Sequence, residues 1–356
     1  MSANTRRLAA VGIALLLAAF APTPSGGAAA KSTKGGKHEA RVLLERARPL
    51  FGTALTISAE GLDSTWTGTA IGDAFDAAGE LEATTDPARE DGELARLNAA
   101  GAERRVECSS DLFAVLDSSL AIARATEGAF DPTLGPLVHA WDLRGAGRVP
   151  DPRELADARE RAGWNMVEIA RDAREVRFRR DGMALDFGGI ERGFALDRAA
   201  GLLRSRGMRR ALLRVANQQV AFTDGEAWVI DIPDPIDPLR ADLRLVLRRG
   251  GLSTCDQTAR FETADHQSFG RVLDPRTGRP VTTRAAVTVV AASATTAQAL
   301  SNALLVMGRD RARAFIESRP DLGAVWLERD AEKLYAWRWN LPTVSAESGV
   351  VVEWMP

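Results

Sequence analysis

The stretch ALLRVANQQVAFTDGEAWVIDIPDPIDPLRADLRLVLRR (211–249) decides the fold class. ALLRVANQQVAFT (211–223), EAWVIDI (226–232) and DLRLVLRR (242–249) read as strands, separated only by turn-forming residues. Working outward, REVRFRRDGMALDFGG (174–189) alternates apolar and charged residues about Asp181-Gly182, which predicts a hairpin. A helix follows over about Arg192 to Ser205, then a strand at RAAVTVVAAS (284–293). TTAQALSNALLVMG (295–308) predicts a helix behind a Thr cap, and DRARAFIES (310–318) another. GAVWLER (323–329) and KLYAWRW (333–339) close the chain as a hairpin.

Toward the N-terminus, AIGDAFDAAGELEATTD (70–86) and SSDLFAVLDSSLAIARATEG (109–128) carry apolar residues at helical spacing, with Gly128 as a stop. VLLERARPLFGTALTISAEG (42–61) reads as a short helix or extended entry, then a strand near Ala54–Ala59. Helices and strands mix without strict βαβ alternation, so the class is α+β, mostly antiparallel sheets covered by helices. Residues 128–153, rich in Gly and Pro, read as a long ordered loop, the kind of segment that often carries function.

Residues 1–30 have the order of a secretory signal peptide: Arg6-Arg7, the apolar run LAAVGIALLLAAFA (8–21), then GGAAA (26–30). The run is short for a membrane span, so the segment reads as cleaved, with a retained anchor as the alternative. KSTKGGK (31–37) holds three of the four lysines and reads, within residues 31–40, as a flexible leader to a globular domain over 41–356. The expected location is exported, periplasmic in a diderm cell.

Lys+Arg number 46 against 48 Asp+Glu, so no single-sign field marks a nucleic-acid partner. Two cysteines (Cys108, Cys255) and three histidines (His38, His139, His266) lack the close spacing of a structural zinc site. The two cysteines are read as either a disulfide or two free buried thiols.

Three segments place polar groups on tight backbone. GAFDPTLGPLVHAW (128–141) turns at Asp131-Pro132-Thr133 and again at Gly135-Pro136, presenting backbone amides to an anion or ring, or simply packing as a surface loop. LDFGGIERGFALDRAA (185–200) runs from a strand through Asp186, Gly188 and Gly189 into a helix near Arg192-Gly193, a phosphate seat or a tight packing joint. It lacks the G-x-G-x-x-G spacing of a dinucleotide fingerprint. LDPRTGRPV (273–281) is a turn dense with Asp274, Arg276, Thr277, Gly278 and Arg279, suited to bidentate contact with phosphate or carboxylate, or to solvation.

Together with FGTALTI (51–57), DGELARLN (91–98) and the helix at 295–308, these segments resemble, in order and spacing, the ApbE family of FAD:protein FMN transferases. The resemblance runs from about Leu50 to Gly308. It implies a T-fold-like α+β core and a phosphoryl transfer: a client Thr or Ser hydroxyl attacks the FMN-side phosphorus of FAD and AMP leaves. The client would be an exported or membrane-bound protein, such as a subunit of a respiratory membrane complex. It implies flavin contacts around Asp131, Thr133 and Gly135, and a diphosphate seat at Asp186, Gly188, Gly189 and Arg192. It also implies a cofactor-facing turn at Asp274, Arg276, Thr277 and Gly278, with Arg271 and Asp274 at catalytic positions, and Mg²⁺ to neutralise phosphate charge.

The sequence departs from the family at polar positions. The Asp and Thr that hold Mg²⁺ in typical members, beside a backbone carbonyl at the position of Gly189, read Gln298 and Asn302. A Gly-Gly-Asp reads Ala216-Asn217-Gln218, a Ser-Gly-Asp-Tyr run aligns with Cys255-Asp256-Gln257-Thr258, the His before the last motif is Arg271, and a Lys is Arg192. These changes predict a more cationic pocket that binds FAD or another nucleotide with arginine in place of magnesium. They also set up the alternative function, a catalytically weakened or inactive flavin- or nucleotide-binding protein.

Overall fold

The computed structural model describes residues 41–235, 237, 240–257, 260–262, 268–330, 333–341, 344–346 and 350–355. The expected signal peptide and leader (1–40), His266 and Thr258 lie outside them. Nine strands form the main sheet in strict chain order: β1 (Val42–Leu50), β2 (Thr53–Gly61), β3 (Arg210–Val215), β4 (Gln218–Thr223), β5 (Arg249–Cys255), β6 (Ala285–Ala291), β7 (Gly323–Asp330), β8 (Lys333–Trp339) and β9 (Val352–Trp354). Neighbours are antiparallel up to β8, and β9 joins β8 in parallel. The helices are α1 (Ser64–Thr85), α2 (Glu93–Ala100), α3 (Ser110–Ala125), α4 (Gly135–Ala140), α5 (Pro152–Glu160), α6 (Glu191–Ser205), α7 (Ala294–Met307) and α8 (Arg309–Glu317). Among the described residues, no helix is long and apolar enough to cross a membrane.

The central strands are buried on both faces, which is why β3, β4 and β6 read as apolar runs. On β3, Leu213 packs with residues of α1, α3 and α6, while its neighbour Leu212 packs under the hairpin of Trp228–Pro233 and Ala241–Leu247. Residues of α7 and α8 cover β6 to β8 around Trp326 and Trp337. Burying apolar surface against both faces is the main stabilising term for such a sheet.

Of the two readings open for 42–50 the extended one holds, and three other local readings differ from the fold. VLLERARPL (42–50) is a strand: its side chains are mostly exposed on both faces at the sheet edge, so neither period shows in the sequence. The hairpin expected about Asp181-Gly182 does not form. Glu175–Phe178 pairs instead with Val167–Ala170 and Val106–Glu107. Residues 183–187 do alternate, burying Met183, Leu185 and Phe187, but their backbone bonds go elsewhere. Leu185 exchanges two bonds with the Asn98 side chain (2.8 and 3.0 Å), Ala184 O accepts from Gly135 N, and Asp186 N donates to Pro132 O. The cap of α7 is Ser293 rather than a Thr. Two short strands, Val344–Ala346 and β9, follow the hairpin expected to end the chain.

The joint between α6 and α7 positions the site. The first amides of a helix have no partner inside it, and Ile190 at the α6 N-cap offers no side-chain acceptor. Gln298 of α7 supplies one: its Oε1 accepts from Gly193 N at 2.7 Å. Asp197 of α6 returns the favour, accepting from Ala294 N and Thr295 N at 2.9 and 2.8 Å. The two helices cap each other, and they approach so closely that a Cβ on Gly193 would lie 2.3 Å from Ala294 O. Only glycine fits there.

Candidate functional site

A cavity of about 460 Å³ opens where the Gly188-Gly189 segment enters α6. Its walls come from the loop after α3 (Phe130, Asp131), the start of α6 (Glu191, Arg192), the β3–β4 turn (Asn217), the end of β5 (Cys255), Arg271 and α7 (Gln298, Asn302). Three arginines (Arg144, Arg192, Arg271) face four carboxyl groups (Asp131, Asp186, Glu191, Asp256). The cavity is thus mixed in charge.

Several of these groups are already committed. Asp131 organises its loop: Oδ1 accepts from Thr133 N and Oγ1 (2.8 and 2.6 Å) and Oδ2 from Trp164 N (3.0 Å). Burial raises its pKa, opposed by those bonds. Asp186 Oδ2 accepts from Arg144 Nε and Nη2 (3.0 and 2.7 Å), and its Oδ1 accepts from Gly188 N. Arg271 donates to Leu143 O. Cys255 is a free thiol, and burial pushes its pKa up; Cys108 is likewise free, pushed up to about 12.

Two groups are poised. Arg192 donates one bond to Phe51 O (3.3 Å), but its buried Nε has no partner. A buried donor left unpaired is costly, and Arg192 is among the residues that line the cavity. Glu191 has its carboxyl pKa raised to about 7, first by burial and then by the charge of Asp186.

Of the residues singled out in the sequence, the fold brings Asp131, Asp186, Gly188, Gly189, Arg192, Arg271, Gln298 and Asn302 to this cavity. Thr133, Gly135, Asp274, Arg276, Thr277 and Gly278 do not line it. Thr133 is buried and accepts from Gly163 N, and a Cβ on Gly135 would meet Ala184 O at 2.7 Å. Asp274 is occupied within its own turn by Arg276 N, Nε and Nη2 (2.9, 3.2 and 2.9 Å). Thr277 N donates to Asp274 O, and Gly278 O accepts from the buried Trp141 Nε1 at 2.8 Å. In that turn Gly278 packs on Trp141 while Arg276 and Thr277 stay exposed, and Val272 and Leu273 line the cavity instead. Arg144 and Glu191 were not anticipated. Glu191 stands inside the quoted LDFGGIERGF run, whereas nothing local marks Arg144, which reaches the site through its pairing with Asp186.

The model of the ApbE family matches residues 51–326. The chain belongs to the ApbE family. The FAD:protein FMN transferase of Treponema pallidum is 29% identical over 262 residues, 68% of this chain and 72% of that protein. The enzyme of the same name from Klebsiella pneumoniae is 27% identical over 259 residues, 70% and 74% of the two chains. The crystal structure of the ApbE protein from Thermotoga maritima superposes with a TM-score of 0.73 at 25% identity, covering 80% of this chain and 94% of that one. Apo flavinyl transferase ApbE from Pseudomonas stutzeri gives 0.72 at 25% identity, covering 86% and 95%. The α+β fold of mostly antiparallel sheet under helices is therefore that of the family.

The magnesium that the resemblance implies does not fit the residues present. Gln298 Nε2 donates to Gly188 O at 3.1 Å, and Asn302 Nδ2 lies 3.5 Å from Gly189 O and 2.8 Å from Gln298 O. Among the described residues, no group of three His, Cys, Asp or Glu side chains could hold a metal ion.

Proposed function

We propose that this protein transfers FMN from FAD to a Thr or Ser hydroxyl of a client protein, releasing AMP. The observation that carries the reading is the unpaired, buried Arg192 Nε at a glycine-lined cavity in an ApbE-family chain. An FAD diphosphate at Gly188–Arg192 would give that guanidinium an anionic acceptor, with Arg271 and Arg144 lining the same cavity.

In the transfer, the hydroxyl oxygen forms a bond to the FMN-side phosphorus, the bond to the bridging oxygen breaks, and AMP leaves with the electron pair. The hydroxyl proton needs an acceptor near neutrality, and Glu191 suits it: it lines the cavity and holds its proton up to about pH 7. The arginines meet the charge that builds on the phosphoryl oxygens. The leader reading extends to location: segment 1–30 serves as a signal peptide and the client lies in the same exported compartment.

The test mixes the purified protein with FAD and the exported proteins of its source, and follows AMP by chromatography. AMP appears together with flavin covalently attached to protein. FAD recovered intact, or split to free FMN with no labelled protein, refutes the reading.

A further inference from the structure

We propose that two side-chain amides occupy the place of a metal ion at the glycine segment, so that the site holds its ligand without a divalent metal. The structural part stands on geometry alone; the part that concerns FAD rests on the function proposed above.

The glycine segment turns two carbonyls, Gly188 O and Gly189 O, toward α7, where the amide nitrogens of Gln298 and Asn302 meet them. Each amide's orientation is fixed by its other partner. Gln298 Oε1 faces a backbone N–H, that of Gly193 at 2.7 Å, so its nitrogen must face Gly188 O. Asn302 Nδ2 sits 2.8 Å from a second carbonyl, Gln298 O, while its Oδ1 accepts from the Cys255 thiol at 3.3 Å.

Mg²⁺ demands about six oxygens at roughly 2.0–2.1 Å and sheds its water reluctantly without carboxylates. Here the side chains are neutral, and N–H groups point at the carbonyls a cation would use. Turning Gln298 round to offer its oxygen would strip the acceptor from Gly193 N, a buried amide in the first turn of α6. The same bonds that fill the place of a metal tie α7 to α6, so the glycine segment is held in shape before any ligand arrives. The arginines foreseen from the sequence meet the ligand's charge, while the amides take the metal's place at the carbonyls. Arg192 and Arg271 face the cavity, and amides face the carbonyls.

The experiment has two arms. First, Mn²⁺ is titrated into the ligand-free protein and free ion is followed by electron paramagnetic resonance. The free signal stays undiminished up to one equivalent; its loss at one equivalent overturns the proposal. As a positive control, the isosteric pair Gln298→Glu and Asn302→Asp replaces the N–H groups with carboxylate oxygens, and that double variant gains thermal stability with excess Mn²⁺ where the parent gains none. An equal gain in the parent overturns the proposal, and should the variant not fold, the parent titration decides alone. Second, FAD affinity is measured by flavin fluorescence in EDTA and in excess Mg²⁺. The two dissociation constants agree within about twofold; tightening of about tenfold or more by Mg²⁺ overturns the proposal. Absence of FAD binding in both conditions removes the FAD reading, and the Mn²⁺ arm still decides on the metal.

Discussion

Replacing Gln298 with methionine isolates the reciprocal capping of α6 and α7. The side chain is only 2% exposed, and methionine nearly matches it in length, so no large cavity is left. What is lost is the acceptor for Gly193 N and the donor to Gly188 O. Gly193 is buried in the first helical turn, and stranding its amide costs about 1–3 kcal/mol. Gly188 is exposed, so its carbonyl turns to water and adds less. The sum is about 2–4 kcal/mol. Urea unfolding at pH 7, followed by the fluorescence of the eight tryptophans, reads it as a lower midpoint at unchanged slope. Amide exchange at Gly193 accelerates in parallel. A loss under about 0.5 kcal/mol, the range of ordinary surface substitutions, refutes the capping argument.

Arg192→Met removes the unpaired Nε and weakens FAD binding about 10–100-fold by fluorescence titration, the worth of one charge-assisted hydrogen bond, with little change in the urea midpoint. Glu191→Gln gives a pH signature. A carboxyl whose pKa rises on folding, here from 4.5 to about 7, is held protonated more tightly by the folded chain, so the parent loses stability as pH climbs through that window and levels off above it. The variant, which cannot ionise, gains on the parent by up to about 3 kcal/mol between those limits in urea melts taken at both ends. A constant difference across the window would refute the shift. Gly193→Ala drives a methyl into Ala294 O and lowers stability by about 1–3 kcal/mol or more, visible as earlier proteolysis between α6 and α7.

The parts of this fold that could be read from sequence are those whose local pattern and tertiary role agree. The apolar runs of β3, β4 and β6 and the small-residue helix at 294–307 are buried, and their sequence shows it, whereas β5 (RGGLSTC) is equally buried and carries no apolar run. Residues 183–187 kept the alternation of a strand but took an Asn98 side chain and a distant loop as partners, and no turn signal reveals that. β1 is an edge strand with both faces largely wet, so it carries no period to detect. In the site, motif order located the glycine segment, Arg192, Gln298 and Asn302. Composition could not show which way a turn faces. In the Asp274–Gly278 string Gly278 O takes the Trp141 bond and Asp274 is spent on Arg276, while Arg276 and Thr277 stay exposed. Which way the Gln298 amide faces was equally hidden, because its orientation depends on a backbone N–H that lies 105 residues away in the chain.

The most direct test is made in the source cell. With the gene deleted and then restored, the exported proteins are separated on a denaturing gel and examined for covalently bound flavin under ultraviolet light. The account predicts at least one fluorescent band that disappears on deletion, returns with the intact gene and returns far more weakly with Arg192→Met. A pattern of flavin bands unchanged by the deletion would contradict it.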